Sequence, residues 1–157
     1  MKLGDLGWAI VKRATSKRTT LCGTVEYLPP EVCRGAVRGM DANPGGALVG
    51  GVSVGEEYDE SFDLYTLGVL LFEMLVGHSP FAGPAHAGSE GGMAEVAVMR
   101  RIAAGKFAVP HTLPLGAHML IRALMSANPR ARPSAAEVLQ RPWLVALAGP
   151  TLASAYE

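Results

Sequence analysis

The clearest periodic stretch runs from Ser61 to Val76. Leu64, Leu67, Leu71, Met74 and Leu75 recur at helical spacing, and Val69, Leu70 and Phe72 fill the remaining faces. Such a pattern predicts a helix buried on nearly all sides. Leu115 to Ser126 reads as a second, amphipathic helix. Ala94 to Ala104 reads as a shorter one, with Arg100 and Arg101 at the end where the helix dipole favours cations. Asn128-Pro129-Arg130-Ala131-Arg132-Pro133 is a turn, after which Ser134 and Glu137 have the spacing of a capping box. Pro30 sits where a helix can begin after Leu28-Pro29. Met1 to Val11 predicts two short extended pieces joined by a tight turn around Gly4-Asp5-Leu6-Gly7. The sum is a mostly α domain without internal repeats.

Three stretches lack a period. Lys12 to Thr20 is basic and rich in Ser and Thr, which predicts a mobile loop. Arg34 to Glu57 and Pro80 to Gly92 are rich in small residues and predict loops of low order, since little side-chain area is available to offset backbone ordering. The tail beyond Leu144 carries no interpretable pattern.

Length and composition narrow the picture further. The chain has 157 residues, enough for one domain, and 49% of them are hydrophobic. Fourteen basic and fourteen acidic residues give a formal net charge of zero, so composition supplies no case for nucleic acid or an anionic membrane as partner. Cys22 and Cys33 do not make a disulfide framework or a four-ligand zinc site, and reduced thiols suit cytoplasm or nucleus. No apolar signal core opens the chain, and the Leu64–Val76 run, interrupted by Glu73, is too short to span a membrane.

Several motifs occur in a fixed order. Gly4-Asp5-Leu6-Gly7, followed by Trp8, offers a carboxylate, an apolar anchor and a flexible glycine. Lys17-Arg18-Thr19-Thr20-Leu21-Cys22-Gly23-Thr24-Val25-Glu26-Tyr27-Leu28-Pro29-Pro30-Glu31 is the longest and most specific stretch. Asp63-Leu64-Tyr65-Thr66-Leu67-Gly68-Val69, Leu75-Val76-Gly77-His78-Ser79-Pro80-Phe81, Asn128 to Pro133, and Pro142-Trp143-Leu144 follow. In that order they resemble the C-terminal lobe of a serine/threonine protein kinase of the Aurora family, over residues 2–145.

The resemblance implies a partial kinase domain over residues 1–145, with an activation segment at 5–31, insertions at 36–57 and 83–92 that break the family spacing, and a tail at 146–157. It implies Mg²⁺ and ATP as cofactors of the whole enzyme, with Asp5 on the metal and Gly7 beside the nucleotide. Thr20 would be the regulatory phosphosite. Thr24 would lie in the segment that receives the substrate. Glu31 and Arg132 would form a buried structural pair, and Asp63, at a buried helix start, would accept backbone N–H groups. Leu6 stands where the family has Phe, Pro29 where it has Ala, and Tyr65 where it has Trp. His78 and Arg130 read as ordinary surface residues.

Other kinase parts do not occur in the chain. No Gly-x-Gly-x-x-Gly follows a strand, no Val-Ala-x-Lys appears, and there is no His-Arg-Asp. No catalytic base is therefore present, and the chain alone is expected to be inactive. The resemblance points to protein substrates with basic residues before the target Ser or Thr, to kinase-activating regulators, and to spindle or chromosome association. A competing expectation is a catalytically dead kinase-lobe module that binds regulators or substrates.

Overall fold

The computed structural model describes residues 4, 7, 9–11, 18–42, 53–82 and 92–148. Helices dominate. Strand β1 (Arg18–Thr20) leads through a 3-10 turn at Val25–Tyr27 into helix α1 (Pro30–Ala42). Strand β2 (Ser53–Tyr58) precedes α2 (Ser61–Val76), α3 (Gly92–Ala103) and α4 (Leu115–Leu124). A second 3-10 turn at Pro129–Ala131 introduces the short helices α5 (Ala135–Leu139) and α6 (Pro142–Ala148). The strands form a two-stranded antiparallel sheet.

The core gathers where α1, α2 and α3 meet. Val32 and Cys33 of α1, Tyr65, Val69 and Phe72 of α2, and Val98, Met99 and Ile102 of α3 are buried in one cluster with Ile121 and Met125. Each such side chain contributes about 1.5–3 kcal/mol of transfer free energy. Gly68 lets α4 approach α2: a Cβ there would lie 2.7 Å from Met125 Cγ and 2.8 Å from Leu124 Cβ. A smaller cluster of Leu120, Leu124 and Val138, flanked by Trp143 and Leu144, fastens α5 and α6 to α4.

Three expectations need correction. The stretch from residue 36 to 57 is not a loop throughout. Helix α1 continues to Ala42, because Cys33, Ala36, Val37 and Met40 form an apolar stripe that packs against the core, and α1 lies on α3. Residues 53–58 form β2, and Arg18–Thr20, expected in a loop, is its partner strand. Nor is α2 covered on nearly all sides. It buries Tyr65, Gly68, Val69 and Phe72, while Leu67, Leu70 and Met74 are exposed, Met74 to 74%. The described elements packed on α2 reach only part of its circumference. The insertion residues 83–91, the tail beyond 148, and Asp5, Leu6 and Trp8 of the N-terminal motif lie outside the described residues.

Candidate functional site

The segment from Leu21 to Glu31 is fixed at both ends. Leu21 and Leu28 are buried, and Pro29 and Pro30 are buried with them as the chain enters α1. Between them Gly23 adopts φ +98°, a left-handed conformation that costs glycine little and a branched residue much. The 3-10 turn is closed by Tyr27 N–H to Thr24 O at 3.0 Å and Leu28 N–H to Val25 O at 3.1 Å. These constraints leave Thr24 exposed on the rim.

An open groove of about 330 Å³ runs along this segment. Cys22, Gly23, Thr24, Tyr27 and Leu28 line one side, and Phe62 and Thr66 of α2 line the other. The Thr66 hydroxyl donates to its own helix at Phe62 O (3.1 Å) and lies 3.4 Å from Tyr27 O. Tyr27 donates its phenol to the half-buried Glu73 carboxylate of α2. That hydrogen bond, with burial and the charge of Glu73, pushes the Tyr27 pKa up to about 12, so the phenol remains a donor at neutral pH.

The anchor beneath the groove is the Glu31–Arg132 pair. Arg132 donates to both Glu31 oxygens, at 2.8 and 2.7 Å, in the parallel two-point geometry that suits guanidinium and carboxylate. The Arg132 side chain is 0% exposed and that of Glu31 7%. Arg132 also donates to Ser61 O and Ser126 O, each at 3.0 Å, and its guanidinium carbon sits 4.9 Å above the Tyr65 ring centroid. One side chain thus joins the start of α1, the start of α2 and the end of α4.

The structure does not bring together every residue named from the sequence. Asp5 is outside the described residues, and Gly7 is an exposed turn residue. Thr20 is exposed in β1, outside the groove lining. Asp63 is exposed rather than buried, although desolvation of its carboxyl raises its pKa. At the start of α2 it is Asp59, one residue before the N-cap Glu60, whose Oδ1 accepts from a backbone N–H, that of Ser61 at 3.0 Å. Among the described residues no group of three or more His, Cys, Asp or Glu side chains forms a metal site. The arrangement can present an extended, apolar-lined groove with an acid at its edge.

Glu73, Tyr27, Phe62 and Thr66 were not singled out from the sequence. The signal for Glu73 was present: it is the one charge that interrupts the apolar run of α2. Phe62 and Thr66 carry no comparable signal, since only the packing of α2 aims them at the groove.

Residues 1–144 match the protein kinase domain family. The chain is 36% identical over 145 residues to the Aurora kinase of Schizosaccharomyces pombe, which spans 92% of this chain and 33% of that protein. It is 33% identical over 144 residues to Aurora kinase B of Mus musculus, covering 92% of the chain and 33% of that protein. Aurora kinase A-A of Xenopus laevis is 34% identical over 145 residues, covering 92% of the chain and 28% of that protein. The chain spans about a third of the length of these curated relatives.

Proposed function

Because this chain belongs to the protein kinase family and is similar to Aurora kinases over nine-tenths of its length, we propose that it serves as the substrate-receiving part of a serine/threonine protein kinase. The whole enzyme would transfer the γ-phosphate of ATP to protein Ser or Thr. The observation that carries this reading is the Gly23–Glu31 segment, pinned by the Glu31–Arg132 pair and open along a groove.

In this reading Thr24 contributes a hydroxyl at the rim beside the target residue, and the apolar wall at Leu28 and Phe62 excludes water from the bound side chain. The Glu73 carboxylate, held by Tyr27 next to the groove, supports a preference for basic residues before the target, through charge complementarity. Asp5 would hold the Mg²⁺ that neutralises phosphate charge, and ATP would supply the phosphoryl group. Thr20 is the proposed regulatory phosphosite: Lys17 and Arg18 precede it and apolar Leu21 follows. Spindle or chromosome association belongs to the proposal through the Aurora resemblance. No helix among the described residues is long and apolar enough to cross a membrane.

The test joins residues 1–145 in frame to the preceding kinase-domain residues of the fission-yeast relative. The chimera is expected to phosphorylate a basic peptide in Mg²⁺ and ATP, and Asp5→Ala or Thr24→Val to suppress turnover. The 157-residue chain by itself is expected to show none. A folded chimera without activity would refute the proposal. Treatment of the chain with an active Aurora kinase is expected to place phosphate on Thr20, read by mass spectrometry. Phosphate at Thr19 alone would reject that assignment.

A further inference from the structure

Strand β2 lies in the stretch that breaks the kinase spacing, yet it pairs with the residues that carry Thr20. The register sets Thr20 opposite Ser53 and Arg18 opposite Tyr58. Between these two pairs β2 has more residues than β1 and bulges, so the pairing is pinned at its ends. The Tyr58 hydroxyl adds a tie of its own, donating to Thr20 O at 2.8 Å. The Tyr58 ring is held in turn by Phe62, with centroids 5.1 Å apart.

Strand β2 is tied to the core apart from its pairing with β1. Helix α1 packs against it on one side. At its C-terminal end only Asp59 and Glu60 separate it from α2, and Asp59 Oδ1 accepts from Ser61 N–H at the start of that helix. The strand is therefore held across β1 by elements that do not depend on β1. A two-stranded sheet is marginal in water, so the contact can open without unfolding the domain.

We propose that β2 is a strap that withholds Thr20 from phosphorylation until the β1–β2 pairing opens. This rests on the reading of Thr20 as a phosphosite. A modifying kinase needs the backbone around its target free to lie in its cleft, and here part of that backbone is already engaged. In the transfer, Thr20 Oγ forms a bond to the γ-phosphorus of ATP, ADP leaves with the electrons of the broken bond, and the hydroxyl proton passes to the modifying kinase's base. The product carries nearly two negative charges beside a strand whose sequence, Ser-Val-Gly-Glu-Glu-Tyr, contains two acids.

The experiment compares the full chain with Tyr58→Phe, which deletes the tie to Thr20 O and keeps the ring against Phe62, and with Val54→Pro, which removes a backbone donor from β2. Each is incubated with an active Aurora kinase and Mg²⁺–ATP, and the initial rate at Thr20 is read by mass spectrometry. Amide hydrogen exchange over residues 18–20 is measured in parallel, with thermal melts to verify the fold. Tyr58→Phe is expected to raise the rate roughly two- to tenfold, the factor set by the net worth of one neutral hydrogen bond. Val54→Pro should raise it further, and exchange at 18–20 should quicken in both variants. Equal Thr20 rates in three folded chains overturn the strap. If Thr20 is modified in none, the phosphosite reading fails, and unchanged exchange in Val54→Pro overturns the strap independently.

Discussion

Replacing Arg132 with alanine removes four hydrogen bonds at once, two to Glu31 and one each to Ser61 O and Ser126 O. The larger consequence falls on what stays behind. The Glu31 side chain is only 7% exposed, so its carboxylate cannot recover water when its partner is gone. Breaking a buried pair in this way costs about 3–5 kcal/mol. That is a large share of the roughly 5–15 kcal/mol that holds a domain together. With a urea dependence of about 2 kcal/mol per molar, the unfolding midpoint should fall by roughly 2 M. Urea unfolding followed by far-UV circular dichroism provides the measurement. Arg132→Lys should recover little, because an ammonium cannot repeat the two-point contact and still reach both carbonyls. The double variant Glu31→Ala, Arg132→Ala should cost far less than the sum of the singles, since the second change removes a charge already left unpaired. A loss below about 1 kcal/mol for Arg132→Ala, the worth of an exposed ion pair, would refute the assignment of this pair as the anchor under the groove.

Gly68→Ala should destabilise by about 1–3 kcal/mol through overpacking against Leu124 and Met125, read in the same urea experiment; an unchanged midpoint would show that α2 and α4 separate freely. Ser134→Ala should lower stability at neutral pH by breaking the capping box with Glu137. The backbone and hydroxyl bonds of Ser134 hold the Glu137 carboxyl below its usual pKa. That contribution is present above the ordinary carboxylate pKa and is lost as pH falls through the lowered one, so the gap between wild type and variant should close in acid melts. Burial pushes the Cys33 thiol up to about 12. Maleimide at pH 8 should therefore label half-buried Cys22 first and Cys33 only on unfolding; equal labelling of the folded chain would contradict the core placement.

What the sequence determined by itself was local. The period of Ser61–Val76 fixed the bounds of α2, and Ser134 with Glu137 fixed a helix start, because both depend on residues within a turn or two. The stripe Cys33, Ala36, Val37, Met40 was not read as a helix, because Gly35 and Gly39 between its members place it in a glycine-rich run. The Glu31–Arg132 pair came only from the family resemblance, since its members stand 101 residues apart and neither charge announces its partner. Tertiary structure alone decided three things. It chose which face of an all-round apolar α2 stays exposed at Leu67, Leu70 and Met74. It aimed Phe62 and Thr66 at the groove. It joined Ser53–Tyr58 to Arg18–Thr20. A strand needs a partner to satisfy its backbone, and which segment becomes that partner is set by where α1 and α2 carry the chain, not by the residues of the strand.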